Sequence, residues 1–217
     1  MFRWETSGER FNAWGQKVSE ILGTDSDGFN ACIQAVNTEI NKLGASGRIW
    51  NGSAAQNYYN ESISPSVVAF KNSVIKLQEV VTESCNELVR VINEVEVHNG
   101  GSAGSATVPN VTLNITITEP VFNTTEMDYN EEMMKQIAGT IDGAIVEQIT
   151  AAQNNLLNQF NKLGSYDECG LENTTTGTID ELKGNFNEGV TTAVNSIIEN
   201  MTSIGASIKA AADNSIW

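Results

Sequence analysis

Residues that could do chemistry are few in this sequence and stand apart from one another. His98 is the one histidine, so a histidine-based catalytic triad or a site with several histidine ligands is excluded within the chain. Glu94 and Glu96 could share a metal ion with His98, but a solvated helix end is the better interpretation. No glycine cluster is followed by Lys-Ser/Thr, so no phosphate-binding loop is predicted. We therefore predict no catalytic, metal-binding or cofactor-binding residues, and a protein that is not an enzyme.

The cysteines form an odd and sparse set: Cys32, Cys85 and Cys169. Such a set is not a disulfide framework. In a hairpin that turns near residue 50, Cys32 and Cys85 would lie far apart, so they should not bond to each other. We expect buried free thiols or an incidental exposed one.

The charge balance narrows the classes of partner. The chain carries 12 Lys and Arg against 27 Asp and Glu, a formal net charge of −15. This charge repels phosphate backbones and acidic lipid, so nucleic acid is not expected as a partner. No apolar run approaches the ~20 residues of a membrane span, so no membrane insertion is expected. No signal peptide is predicted either, because no apolar stretch follows the charged N-terminus. A basic protein surface is the natural complement.

Two long helices are predicted in the first half of the chain. Apolar residues recur at steps of three and four in both segments, as on the buried face of a helix. In the segment 10–43 they are Phe11, Trp14, Val18, Leu22, Phe29, Val36, Ile40 and Leu43. In the second segment they are Val67, Phe70, Val74, Leu77, Val81, Cys85, Leu88, Ile92 and Val95. Residues 44–52 are predicted to form the turn between the two helices.

A β-strand is predicted over residues 110–118, after a flexible stretch rich in Gly and Ser. Val111, Leu113, Ile115 and Ile117 alternate with Thr and Asn, so the apolar residues share one face. One strand cannot stand alone. It must lie on the helices, pair with a copy of itself, or add to the edge of a partner's sheet.

The second half returns to helical spacing, over about 127–163 and again after Thr178. Asn161-Lys162-Leu163-Gly164 repeats Asn41-Lys42-Leu43-Gly44 at the end of the first helix of each half, which favours an internal duplication. We predict an all-α fold in which two antiparallel helical hairpins form a four-helix bundle, with a strand-bearing linker between them. The predicted domains are a hairpin over 1–98, a linker over 99–126 and a second hairpin over 127–217.

The turn carries a family resemblance. Trp50-Asn51-Gly52, followed by Ala54, Ala55 and Tyr58, resembles the signature of the Trp-x-Gly (WXG, ESAT-like) family of type VII secretion substrates. The resemblance covers residues 1 to about 98. It implies a secreted helical protein that is cytoplasmic before export and that acts through helix–helix contacts. It also implies that Trp50, Gly52 and Tyr58 form a turn and partner motif, although Trp50 could equally serve only to pin its own turn.

The chain also departs from the family. It has about twice the length of one hairpin, and the second hairpin lacks Trp-x-Gly. The export signal associated with the family, Tyr-x-x-x-Asp/Glu, is missing, because the residues four after the tyrosines are Ser62, Ile63, Met133 and Gly170. The expected partner is a protein: the type VII secretion ATPase, a toxin, another helical hairpin protein or a second copy of the chain. The alternatives are a structural or adhesive coiled-coil protein, a targeting chaperone for a type VII toxin, and an effector of unknown activity.

Overall fold

Helices account for most of the chain that the structure describes. A computed structural model describes residues 8–98, 104–164 and 176–216. The helices in it are α1 (Gly8–Ser19), α2 (Phe29–Lys42), α3 (Ser53–Tyr58), α4 (Ser64–His98), α5 (Glu131–Gly139), α6 (Ile145–Asn161) and α7 (Thr176–Asp213). Shorter turns of helix extend or join them: π turns at Glu20–Thr24, Tyr59–Ile63 and Thr140–Ala144, and a 3-10 turn at Lys162–Gly164. The predicted all-α class is confirmed for these residues.

The helices join end to end into four rods. Rod 1 is α1 and α2, rod 2 is α3 and α4, rod 3 is α5 and α6, and rod 4 is α7. Rods 1 and 2 run antiparallel, since the amide of Gly8 at the start of rod 1 donates to a carboxylate oxygen of Glu96 near the end of rod 2 (2.8 Å). Rod 2 packs most closely on rod 4, and rod 3 packs on both rod 4 and rod 1. The rods therefore form a helical bundle in which contacts between the two halves predominate.

One continuous hydrophobic core lies inside the bundle and takes residues from all four rods. Each of the apolar residues that define the predicted first and second helices is buried. This follows from their spacing, because steps of three and four place them on one stripe of a helix. Rod 1 is interrupted at 25–28, a stretch that contains Asp25, Asp27 and Gly28, so α1 and α2 are separate helices.

The strand predicted over 110–118 is wrong. Residues 104–125, which we call the strap, run as an extended chain along rods 1 and 2, and the strap forms no β-ladder. Within the described residues the β-pairing is an isolated antiparallel bridge between Trp50 and Tyr129. The alternation does mark the inward face, since Val111, Leu113 and Ile117 are buried and Ile115 is partly buried. The strap therefore docks on its own bundle, one of the alternatives that the sequence left open.

Side-chain amides of the helices hold the strap where a sheet would have used a second strand. Asn12 accepts from the amide of Thr107 (2.8 Å), Asn30 from that of Asn114 (2.6 Å) and Asn37 from that of Thr118 (2.8 Å). These contacts climb rod 1 in chain order, so the strap runs parallel to it. The backbone polar groups of a buried segment need such partners, and here the helices supply them.

Candidate functional site

Trp50 lies at the end of the bundle where rod 1 turns into rod 2, and its side chain is fully buried. Its indole Nε1 donates to the carbonyl of Ile216 (2.6 Å), just past the end of α7. The rings of Tyr58 and Phe122 meet it edge-on, with centroids 6.0 Å and 5.8 Å away. Trp50 thus anchors its own turn to the strap and to the end of rod 4. Because Trp50 is fully buried, the exposed surface at this end of the bundle is made by other residues.

Asn51 is buried and uses its whole side-chain amide to hold the second half of the chain. Its Nδ2 donates to a carboxylate oxygen of Asp128 (2.7 Å), and its Oδ1 accepts from the amide of Asn123 (3.0 Å). Its backbone amide donates to the carbonyl of Asp128 (2.9 Å). The middle residue of Trp-x-Gly therefore joins the turn to Asn123 and Asp128 by specific hydrogen bonds in this chain.

Gly52 adopts a backbone conformation that other residues rarely take. Its φ is +117° and its ψ is 167°. A side chain at this position would be strained by the φ itself, because a Cβ there clashes with the local backbone. The amide of Gly52 donates to the carbonyl of Asn123 (3.0 Å), and α3 starts at the next residue. The glycine of the motif thus lets the chain reverse while staying bonded to the strap.

The aromatic residues behind the turn form a closed apolar end. Tyr58 is partly buried against Trp50, and Tyr59 is buried against Phe122. The hydroxyl of Tyr59 is buried and makes no hydrogen bond to any described residue. Burial, and secondarily the carboxylate of Glu119, raises the pKa of Tyr59 well above its ordinary value. This phenol therefore stays neutral and serves as packing.

Residues from the second half close over the same end of the bundle. The hydroxyl of Tyr129 donates to the carbonyl of Ala212, and the Nζ of Lys135 lies 2.7 Å from a carboxylate oxygen of Asp213. The amide of Asn130 donates to the carbonyl of Ile49 (2.8 Å). The turn of the first half is thus enclosed by the start of rod 3 and the end of rod 4.

Exposed apolar side chains border this enclosed turn. Val121 is 78% exposed and its carbonyl accepts from the amide of Ala45, while Met127, beside Gly52, is 66% exposed. Single exposed apolar residues are common, and these two border the same turn. Neither residue belongs to a periodic pattern, so sequence reasoning missed both.

The structure separates the two groups of residues predicted to act in partner binding. Trp50, Gly52 and Tyr58 cluster at the end of the bundle, whereas Val111 to Ile117 lie along its side, at the level of Asn30 and Gln78. The asparagines that hold the strap were also missed. Asn41 also holds the strap, since its Nδ2 donates to the carbonyl of Thr118 (3.1 Å). Asn30, Asn37 and Asn41 are separated by seven and four residues, so their shared helix face was readable in the sequence. Nothing in the sequence indicated what that face binds.

The residues whose side chains could take part in chemistry lie apart from one another. Cys32 and Cys85 are buried free thiols, and burial raises their pKa values to about 11 and about 12. Cys169 and the side chain of His98 lie outside the described part of the chain. Among the described residues, no cluster of three or more His, Cys, Asp or Glu could hold a metal ion. In the same residues, no helix combines the length and the apolar character needed to cross a membrane.

Comparison with protein-family models, with curated proteins and with solved structures finds no match to this chain.

Proposed function

We propose that this chain is a non-enzymatic substrate of a type VII secretion machine, or a helical partner that is secreted with one. In this proposal it leaves the cytoplasm through that machine and acts by protein–protein contact. The observation that carries it is the turn at Trp50-Asn51-Gly52, which resembles the Trp-x-Gly signature and joins two long antiparallel rods as that resemblance requires. The positive φ of Gly52 explains why the last residue of the motif is glycine.

The packing supports a specific version of this proposal, in which one chain does the work of two. Proteins of the resembled family pair as hairpins in four-helix bundles. Here rod 4 packs along rod 2 and rod 3 packs along rod 1, so the second half lies where a separate hairpin protein would lie. A tether between two hairpins raises the effective concentration of each for the other, which favours pairing within one chain. We therefore propose that the chain is secreted as a folded monomer.

Because Trp50 is buried, we propose that a partner recognises Val121 and Met127 instead. These side chains are exposed apolar groups bordering the turn, and Glu126, whose backbone lies beside Gly52, is exposed as well. A partner with an apolar patch and basic residues matches this surface. In the proposal, the secretion machine or a co-secreted partner recognises this surface in place of the missing Tyr-x-x-x-Asp/Glu signal.

The test is export from a bacterium that carries the secretion machine, with and without its membrane ATPase. We expect the chain in the culture supernatant only when the ATPase is present, while a cytoplasmic marker stays inside the cells. We expect the double variant Val121→Asn, Met127→Gln to fold normally and to lose most of its export. The matched variant Val108→Asn, at a strap residue that is 42% exposed and lies beside α1, should be exported normally. Equal amounts outside the cell with and without the ATPase would refute the proposal.

A further inference from the structure

Every asparagine of the strap begins an Asn-x-Thr triplet. The triplets are Asn110-Val111-Thr112, Asn114-Ile115-Thr116 and Asn123-Thr124-Thr125. Asn-x-Ser/Thr, with x other than proline, is the acceptor sequence for attachment of a sugar to an asparagine amide. Elsewhere in the described residues such triplets begin at Asn51, Asn60 and Asn200. The surroundings of these asparagines in the fold separate those that an enzyme can reach from those that it cannot.

The first two triplets of the strap present both of their polar residues to solvent. The asparagine and the threonine of each triplet are exposed, whereas Val111 is buried and Ile115 is partly buried. In an extended chain residues i and i+2 point to the same side, so the acceptor amide and the hydroxyl of each triplet share the outer face. An enzyme that must bind both groups can therefore reach them while the strap stays docked on the bundle.

Each of these two asparagines is held in a turn that leaves its amide nitrogen free. Oδ1 of Asn110 accepts from the amide of Thr112 (3.1 Å), and Oδ1 of Asn114 accepts from the amide of Thr116 (3.2 Å). This bond to the backbone two residues further on is an Asx turn. Nδ2 of Asn110 and Nδ2 of Asn114 make no hydrogen bond to any described residue. The atom that receives a sugar is thus exposed and available in both triplets.

The other described triplets lack one or more of these features. Nδ2 of Asn51 and Nδ2 of Asn200 already donate hydrogen bonds, of 2.7 Å and 3.0 Å, and Asn51 is buried. Asn60 and Asn200 lie in helical turns of rods 2 and 4, where the backbone is bonded within the helix rather than extended on a surface loop. Asn123 lies on the strap but is half-buried. Only the first two strap triplets therefore combine exposure, extended backbone and a free Nδ2 among the described residues.

A groove beside Asn110 has room for the first sugar. It lies between rod 1 and the strap, has a volume of about 520 Å³, and is lined in the described part of the chain by uncharged residues. Asn110 and Thr112 line it from the strap, and Gln16 lines it from α1. Amides and hydroxyls offer both donors and acceptors, as the hydroxyl groups of a sugar require. Asn114 lies four residues further along the strap, about 13 Å away in an extended chain.

We propose that Asn110 and Asn114 are N-glycosylation sites. Nδ2 of the asparagine attacks the anomeric carbon of a sugar diphosphate donor, and the bond from that carbon to the phosphate oxygen breaks. The diphosphate leaves with the electron pair of that bond, and a base of the transferring enzyme takes the proton from Nδ2. The donor carries a nucleotide or a lipid on its diphosphate, and the bond formed is the same for both. The sugars lie on the outer face of the strap, so the proposal does not depend on type VII secretion.

Mass spectrometry of the full chain, purified from the organism that makes it, tests the two sites. We expect fragmentation to place sugar on Asn110 and Asn114, and to find none on Asn51 or Asn200. A single sugar at each site would identify a nucleotide-linked donor, and a preassembled oligosaccharide would identify a lipid-linked donor; both results support the sites. Unmodified Asn110 and Asn114, or equal modification of Asn51 and Asn200, would overturn the proposal.

Substitution of the threonines tests whether each triplet directs its own sugar. We expect Thr112→Ala to lose the sugar at Asn110 and Thr116→Ala to lose that at Asn114, whereas Thr112→Ser should retain it because the hydroxyl remains. The control Thr118→Ala removes an exposed hydroxyl of the same strap that belongs to neither triplet, and should keep both sugars. Circular dichroism checks that each variant is folded. Sugars that persist in folded Thr112→Ala and Thr116→Ala would overturn the proposal.

Discussion

Asn51 occupies the position of the motif that its signature leaves unspecified, yet the fold uses it fully. Its side chain donates to Asp128 and accepts from the amide of Asn123, and 1% of its surface is exposed. An amide fits because it offers one donor and one acceptor, whereas a carboxylate offers only acceptors. The residue is thus specified by two groups more than 70 positions away in the sequence.

Exchanging donor and acceptor tests this connection. We expect Asn51→Asp to lower the free energy of unfolding by about 2–3 kcal/mol at neutral pH, because a buried carboxylate then faces the partly buried carboxylate of Asp128. Protonating the introduced carboxyl relieves the repulsion, so the variant should regain part of the loss at acid pH. The double variant Asn51→Asp, Asp128→Asn restores a donor and should recover at least half. Denaturant unfolding of the parent chain, the single variant and the double variant measures this, and failure of the double variant to recover would contradict the pairing.

The buried thiols lead to a prediction about reactivity. Burial raises the pKa values of Cys32 and Cys85 to about 11 and about 12, so at pH 8 almost no thiolate exists at either. We expect a thiol reagent to label them only after unfolding, with peptide mapping to assign each site. The variant Asn86→Cys places an exposed thiol beside Cys85 as a control and should label rapidly. Because the folded state favours the neutral thiols, their contribution to stability is complete below pH 9 and declines as the pH rises towards 11.

At the scale of elements, periodicity predicted which residues point inward but not what satisfies the backbone. The apolar faces of rods 1 and 2 and the inward residues of the strap all follow their spacing in the sequence. An alternating segment needs hydrogen-bond partners as well as a face, and a strand assumes that those partners are other strands. Here Asn30, Asn37 and Gln78 take that role, and no local pattern couples them to residues 35 or more positions away.

The contact between rods 2 and 4 depends on a glycine that periodicity ignores. A Cβ at Gly189 of α7 would lie 2.8 Å from Cγ1 of Val80 in α4, whereas a Cβ at Gly184 would meet nothing within 4 Å. We expect Gly189→Ala to lower the free energy of unfolding by about 1–3 kcal/mol by forcing the helices apart. Gly184→Ala should raise it by roughly 0.5–1 kcal/mol, since alanine favours helix. Equal effects at the two positions, measured by thermal or denaturant unfolding, would show that the close approach is unimportant.

At the scale of the whole molecule, two tryptophans of the first half join the second half at opposite ends of the bundle. The Nε1 of Trp14 donates to the carbonyl of Gln159 (2.7 Å), and Nε2 of Gln159 donates back to the carbonyl of Trp14 (3.3 Å). Trp50 makes the other link, to Ile216. The sequence located the helices and the turn, but the pairing of rods depends on such contacts between distant residues. The predicted domain boundary after residue 98 therefore divides a hydrophobic core that both halves share.

This shared core predicts how fragments behave. We expect residues 1–98 alone to show weak helicity and no cooperative unfolding, because rods 3 and 4 cover much of its apolar surface. Mixing it with residues 99–217 should restore a cooperative transition, observed by circular dichroism. The control is the full chain cut at a protease site inserted at 99–103, which should remain associated and folded. A fragment 1–98 that melts cooperatively by itself would show that the hairpin is an independent domain.

The hydrogen bond from Trp50 to Ile216 can form only late in the synthesis of the chain. Its two partners are 166 residues apart. At the usual rate of synthesis, the carbonyl that accepts this hydrogen bond emerges on the order of 10–30 s after the indole that donates it. Throughout that interval the nascent chain displays an unburied tryptophan and an unfinished core. A chaperone or a secretion machine that meets the protein during translation therefore meets a different surface from the one that the completed bundle presents.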